Sequence, residues 1–263
     1  MKKTSWLACA LLLGACGSNG IDPDPTPDSG VPIHGDPPPP PDPVDCEGGD
    51  VARFSGELTA LADRAPIAGA QVCVLEHDEI PCATTDASGF WQLDCAPRGD
   101  AAIWFRADGF APGVWLWAGP EGDAYEDLDV SLARDAENSG YLSPTGVTYP
   151  DGTSSLVTIV ARGNSAGMTA VLRSGSGEGP FYSADQGGRI DPALTALPSA
   201  DELVFFVVQP WSGWQEIEIE LLSAGGGLCQ QEGGAWAARD GAPNVVRVPV
   251  RAGTESVMWV SCL

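Results

Sequence analysis

Lysine is almost missing from this chain of 263 residues: Lys2 and Lys3 are the whole supply. If they leave with an N-terminal leader, the mature protein has none. That excludes a Schiff-base mechanism, a phosphate-binding P-loop lysine and Lys–Asn isopeptide cross-links. Histidine is nearly as scarce, with His34 and His77 only. A Ser-His-acid hydrolase would have to rely on His77, which sits in the acidic turn Glu76-His77-Asp78-Glu79 and is expected to be solvated. Basic charge is short too, with 13 Lys+Arg against 36 Asp+Glu and a net charge of −23. Such a polyanion repels nucleic acid and anionic surfaces, so no nucleic-acid partner is expected. No C-x-x-C pair occurs, and the glycines of Gly175 to Gly179 do not follow the order that cradles phosphate. Neither metal nor cofactor is expected. Carboxylate pairs are plentiful, but a chain this acidic supplies them by chance, and they do not indicate glycosidase chemistry. Long apolar runs are absent as well. The longest near the N-terminus, Trp6 to Leu13, is far below the roughly 20 residues of a membrane-spanning helix.

That short run has a different meaning. Two lysines, a brief apolar stretch and then small residues make up a secretory signal. It closes on Leu13-Gly14-Ala15-Cys16, which resembles the lipobox of bacterial lipoproteins. The resemblance implies removal of residues 1–15, lipid on the Cys16 thiol and anchoring in a membrane. Several acyl chains on one residue give stable attachment. Gly17 follows Cys16, and a residue other than Asp at this place implies the outer membrane. Residues 16–45 then carry the lipid site and a Pro/Asp-rich tether, with Pro37 to Pro41 unbroken. Such composition cannot bury enough apolar surface to fold. In extended polyproline geometry it would reach roughly 90 Å.

Eight cysteines are present. Cys9 leaves with the signal and Cys16 takes the lipid, so six remain. An even number in an exported protein suggests disulfides. Six cysteines allow 15 pairings, and a four-and-two split between the halves leaves three; the favoured set is Cys73 with Cys82, Cys46 with Cys95, and Cys229 with Cys262. Closing the last loop contributes roughly 3–4 kcal/mol in the chain-entropy view.

From Val51 onward short alternating segments are separated by Gly, Pro and Asp, which is a strand pattern. Ala70 to Val74, Phe90 to Leu93 and Leu128 to Leu132 alternate. Gln215 to Leu221 alternates strictly, acidic on one face and aliphatic on the other. Pro249 lacks an N–H, which puts the strand holding Val246, Val248 and Val250 at a sheet edge. No long amphipathic helix is evident. The stretches Arg64 to Val72, Thr84 to Leu93, Ala96 to Gly99 and Ala107 to Phe110 resemble carboxypeptidase regulatory-like domains. The resemblance covers about 51–134 and implies a transthyretin-like β-sandwich. It is not expected to import peptidase activity, because in that family the activity belongs to a separate catalytic zinc domain and the resemblance covers the sandwich alone. In these stretches Pro66 and Gly69 bend the chain into a strand, Asp86 and Gly89 make a tight hairpin turn, and Pro97 and Gly99 make the next turn. The second half repeats a similar order of strands and turns. The expected architecture is therefore all-β, two tandem sandwiches at 46–136 and 137–263, joined by a short linker at Asp135 to Ser139. A single elongated domain is the alternative.

Two features bear on function. Of nine tryptophans, eight lie beyond the signal. Trp115 and Trp117 are two apart, so on a strand they share a face. Exposed, such a pair would stack on sugar rings; core packing is the competing and favoured reading. The acidic run Glu121 to Asp129 offers oxygens for calcium, but its spacing is not an EF-hand, and a solvated face is favoured. The leading expectation is a membrane-anchored, non-catalytic structural or protein-interaction module. Carbohydrate binding through Trp115 and Trp117 is the alternative. Buried tryptophans together with a bare sheet edge would favour a protein partner.

Overall fold

Strands make up nearly all of the regular structure in the residues that the computed structural model describes, which are 51–118, 124–149, 152–185, 187–232 and 236–263. Cys16, the tether, Cys46 and the stretch 121–123 of the acidic run lie outside these residues. Sixteen strands occur among the described residues. The first eight are β1 (Val51–Ala60), β2 (Gln71–Val74), β3 (Ala83–Thr84), β4 (Phe90–Pro97), β5 (Asp100–Arg106), β6 (Gly113–Ala118), β7 (Ala124–Tyr125) and β8 (Val130–Leu132). A helix, α1 (Asp135–Leu142), separates them from the rest. The second eight are β9 (Ser155–Gly163), β10 (Thr169–Leu172), β11 (Gly177–Tyr182), β12 (Leu203–Val208), β13 (Gln215–Leu222), β14 (Cys229–Gln231), β15 (Val245–Val250) and β16 (Glu255–Cys262).

The strands form three sheets stacked as layers. The middle one has nine strands in the order β11-β12-β9-β16-β6-β5-β2-β3, with β14 also on β16. The last strand of the chain, β16, runs parallel to β6 on one side and to β9 on the other. Strands of both sequence halves therefore share this sheet, and the described residues belong to one compact unit. A three-stranded sheet, β10-β13-β15, covers one face. There Ile217, Ile219 and Leu221 meet Val157, Ile159, Phe206, Met258 and Leu116. The opposite face is covered by the sheet β4-β1-β7, to which β8 adds through β1. There Phe54, Leu58, Trp91 and Leu93 meet Ile103, Phe105, Trp115 and Trp117. Further along that face Leu142 and Tyr149 cover Leu156, Phe205 and Val207. Each such aliphatic or aromatic side chain taken from water contributes about 1.5–3 kcal/mol.

The sequence reading placed several elements well. Trp91 and Leu93 are buried, and so are Val72 and Val74. Pro249 does lie on an edge strand, since β15 is the last member of its sheet. Two of the segments quoted for the regulatory-like resemblance, Arg64 to Val72 and Thr84 to Leu93, are joined by one side chain. The Thr85 hydroxyl donates to the Ile67 carbonyl (2.6 Å) and accepts from the Ala70 N–H (2.8 Å). At Asp86 the carboxylate accepts from the N–H groups of Ser88 and Phe90 (2.8 and 3.0 Å), closing a tight turn. That turn is not a hairpin of one sheet, however. It carries the chain from β3 in the middle layer to β4 in the outer layer. The turn at Gly99 carries it back. β1 also passes close to the segment before β8: a Cβ on Gly56 would collide with the Leu128 carbonyl.

The expected linker at Asp135 to Ser139 is instead the first part of α1. Its start is held by the Glu137 carboxylate, which accepts from the Arg134 N–H (2.6 Å). This is half of a capping box. The helix docks through Asn138, whose Nδ2 donates to Glu255 Oε2 (3.1 Å), while the Thr158 hydroxyl donates to Glu255 Oε1 (2.8 Å). Burial pushes the Glu255 carboxyl above the ordinary carboxylate range, against those two hydrogen bonds, which lower it.

Candidate ligand-binding surface

Four of the six expected disulfide cysteines are paired as anticipated. Cys73 bonds to Cys82, and Cys229 bonds to Cys262. The second pair joins register partners of β14 and β16. Cys95 is disulfide-bonded, and its expected partner Cys46 lies outside the described residues, as does the lipidation candidate Cys16.

Trp115 and Trp117 share a face of β6, with ring centroids 6.0 Å apart, but that face points inward. They are 8% and 7% exposed. Trp259 of β16 packs on both, at 4.8 and 6.3 Å. Neither ring has a face open to a sugar. The physical reason is the shared middle sheet: β16 lies beside β6 and supplies a third aromatic ring to the same layer. His77 is surface-held, with Nδ1 2.7 Å from Glu79 Oε1. That hydrogen bond is the main cause of the lowered Glu79 pKa. Among the described residues no group of three or more His, Cys, Asp or Glu gathers to hold a metal ion.

One pattern escaped the sequence reading. Gly163-Asn164-Ser165-Ala166-Gly167 fits the Gly-x-Ser-x-Gly form of a nucleophile elbow. An elbow needs a strand–turn–helix setting with the serine presented to substrate. Here the turn leads from β9 into another strand, β10. Ser165 is fully buried, and its hydroxyl finds no hydrogen-bond partner. It belongs to the packing of the turn.

The exposed aromatic is elsewhere. Gln209-Pro210-Trp211-Ser212-Gly213-Trp214 joins β12 to β13, and Trp211 is 86% exposed. The loop beneath it is held in place. With its amide oxygen turned toward the loop, Gln215 accepts from the N–H groups of Trp211 (3.0 Å) and Ser212 (3.1 Å). The Gln209 N–H donates to the Ser176 carbonyl (2.8 Å), tying this loop to the one before β11. Gly175 has φ +88°, and a Cβ there would press on Ile217 Cγ2 at 3.0 Å. So the glycine-rich turn lets a loop lie close over β13. Between the two loops is a hollow of about 220 Å³, walled by Ser174, Ser176, Gln209, Trp211, Gln215 and Glu216.

A second cleft, of about 300 Å³, opens on the other side of Gln215 and Glu216, with Trp214, His77 and Arg239 on its walls. Trp214 meets Trp104 edge-on at 6.4 Å, and the Arg251 guanidinium lies 5.7 Å from the Trp214 ring. Glu216 is neutralised twice: Arg239 Nη2 is 2.5 Å and Arg247 Nη1 is 2.8 Å from its carboxylate. The Glu216 carboxylate in turn raises the Arg239 pKa, first through that hydrogen bond. Arg247 also reaches Asp100 of β5 (2.6 Å), linking the outer layer to the middle one. The sequence signal for this surface was a pair of tryptophans inside a Pro/Ser/Gly turn, where a core residue is not expected.

The sequence matches no protein-family profile and no curated protein. Among solved structures it is similar to a chain of a type II cohesin–X-dockerin complex from Acetivibrio cellulolyticus, at 17% identity and TM-score 0.25, over 32% of this chain and 58% of that one. It is similar to a DUF3823 family protein from Bacteroides ovatus at 8% identity and TM-score 0.25, over 67% and 92%. It is also similar to CBMbc, of family CBM26, from Eubacterium rectale Amy13K in complex with maltoheptaose, at 13% identity and TM-score 0.23, over 80% and 91%. By its own strands the body is an all-β module of stacked sheets, stapled by disulfides.

Proposed function

We propose that this chain is an exported bacterial lipoprotein whose layered β body works as a non-catalytic structural or interaction module at the cell envelope. Lipid on Cys16 holds it in the outer membrane, and the Pro/Asp-rich tether keeps the body clear of the surface. The first half is a carboxypeptidase regulatory-like sandwich in this reading. The observation that carries the proposal is the pair of bonded disulfides, Cys73–Cys82 and Cys229–Cys262. Such bonds persist in oxidising compartments, and they fit the secretory signal and the lipobox-like Leu13 to Cys16. Partners are sought among envelope proteins and polysaccharides.

The test is lipidation and fractionation in a Gram-negative host. Wild-type protein is expected to incorporate an alkyne-palmitate label and to pellet with outer membranes. Cys16→Ser should lose the label and appear in the soluble periplasmic fraction. Equal labelling and pelleting of the variant would overturn the anchor.

A further inference from the structure

We infer that the hollow beside Trp211 is a binding subsite for a neutral glycan. The inference deepens the reading of the body as a non-catalytic envelope module and rests on it.

Three observations lead there. The first is Trp211 itself. A tryptophan left 86% exposed gains little from burial in its own fold. Its backbone N–H is held by the Gln215 amide oxygen, so the ring is carried on an ordered loop and stands beside the hollow. Preorganisation lowers the ordering cost of binding. A broad apolar face with a polar edge suits the C–H face of a pyranose ring.

The second is the rim. Ser174, Ser176, Gln209 and Gln215 surround the hollow. Hydroxyls and primary amides both donate and accept, which is what sugar hydroxyls need. The Gln209 and Ser176 side chains have no hydrogen bond among those identified for the described residues, so they are free to turn to a ligand.

The third is charge. The one acid on the wall, Glu216, is matched by the Arg239 and Arg247 guanidiniums. The local rim is therefore close to neutral, in a chain whose net charge is −23. An anionic polysaccharide would be repelled at long range. A basic peptide would find no unpaired carboxylate on this wall. At about 220 Å³ the hollow is smaller than the roughly 300 Å³ lower bound of drug-sized pockets. It suits one ring, and the cleft beyond Glu216 gives a chain room to continue toward Trp214.

Affinity electrophoresis in native gels tests this, with the disulfide-bonded soluble body run through glycogen, hydroxyethylcellulose, galactomannan or arabinoxylan. Retardation by at least one of the four is expected, with blue-shifted tryptophan emission on binding. Trp211→Ala should weaken that binding at least ten-fold while leaving the melting temperature unchanged, since the ring packs on little. Wild-type mobility indifferent to all four polysaccharides would overturn the proposal. So would equal retardation of Trp211→Ala. Trp211-dependent binding of an octaproline peptide, without retardation by any glycan, would assign the surface to peptides and overturn it too. Fractionation of full-length Trp211→Ala separates this failure from that of the anchor. If it still pellets with membranes, the lipoprotein reading stands whatever the gels show.

Discussion

β12 of the middle sheet and β13 of the three-stranded sheet above it are written in different sequence languages. β13 reads Gln-Glu-Ile-Glu-Ile-Glu-Leu-Leu: Ile217, Ile219 and Leu221 are buried, and the residues between them are half-buried. β12 reads Leu-Val-Phe-Phe-Val-Val, with five of its six residues buried. β6 places Trp115 in one core and its neighbour Leu116 in the other. A strand with one wet face alternates, as β13 does, whereas a strand covered on both faces becomes a continuous apolar run; β15 of the same outer sheet departs from this, with five of its six residues buried. The difference teaches that β13 has a wet face and β12 has none, even before their partners are known.

Neighbouring substitutions sharpen this contrast most strongly. In β6, Trp115→Ala should cost about 3–5 kcal/mol and Leu116→Ala about 2–5 kcal/mol, because each opens a cavity in a different core. In β13, Ile219→Ala should cost about 2–5 kcal/mol, but the adjacent Glu218→Ala no more than about 0.5 kcal/mol, as for other surface changes. Urea denaturation with a common m-value measures all four. A Glu218→Ala loss as large as that of Leu116→Ala, or a silent member of the β6 pair, would break the comparison.

The same contrast explains what could be read from the sequence. The alternation of β13, the turns at Asp86 and Gly99, the edge position of Pro249 and two disulfides were legible, because each follows from local chemistry. The union of both halves through β16 was not. Its pairing with β6 joins residues about 140 positions apart in sequence, and no local pattern specifies which strand a C-terminal segment will join. Sequence reasoning favoured core packing for Trp115 and Trp117, which their burial bears out, but not knowing that β16 lies beside β6 it kept a sugar platform as the alternative. It likewise passed over Trp211, because a tryptophan in a turn shows its exposure only once the loop beneath it is seen to be fixed.

The two disulfides offer a smaller test of the same division. Cys229–Cys262 staples β14 to the strand at the centre of the middle sheet, across 33 residues of sequence. Cys73–Cys82 closes 9 residues near the sheet's rim. Chain entropy alone gives roughly 3.8 kcal/mol for the longer loop and 2.7 kcal/mol for the shorter. The double variant Cys229→Ala/Cys262→Ala should therefore be about 1 kcal/mol less stable than Cys73→Ala/Cys82→Ala. Denaturant midpoints of the two variants decide it, and the reverse order would show that the rim staple holds more structure than its loop length implies.

The smallest expected effect concerns the one carboxylate set into the middle sheet beneath α1. Glu255 faces Thr158 of β9 and Asn138 of the helix, and desolvation raises its pKa in the fold. A raised carboxyl pKa means that the folded protein holds this proton more tightly than the unfolded chain. Its contribution is then fully present below the unfolded carboxyl value near 4.3. It is lost as pH climbs through the higher folded value, with a slope of at most about 1.4 kcal/mol per pH unit. Asp86 and Glu79, whose pKa values are lowered by hydrogen bonds from Ser88 and His77, push in the opposite direction. The total pH profile thus hides the Glu255 part, and a difference measurement isolates it. Glu255→Gln keeps an acceptor for Asn138 or Thr158 but cannot ionise. Relative to this variant, the wild type should lose melting temperature between pH 4 and pH 8 by a few degrees, and the two should converge at the acid end. A wild type that gains on the variant as pH rises would mean that the carboxylate is stabilised as an anion at the helix contact. The junction of α1 with the middle sheet would then be an electrostatic clamp rather than a buried hydrogen-bonded acid.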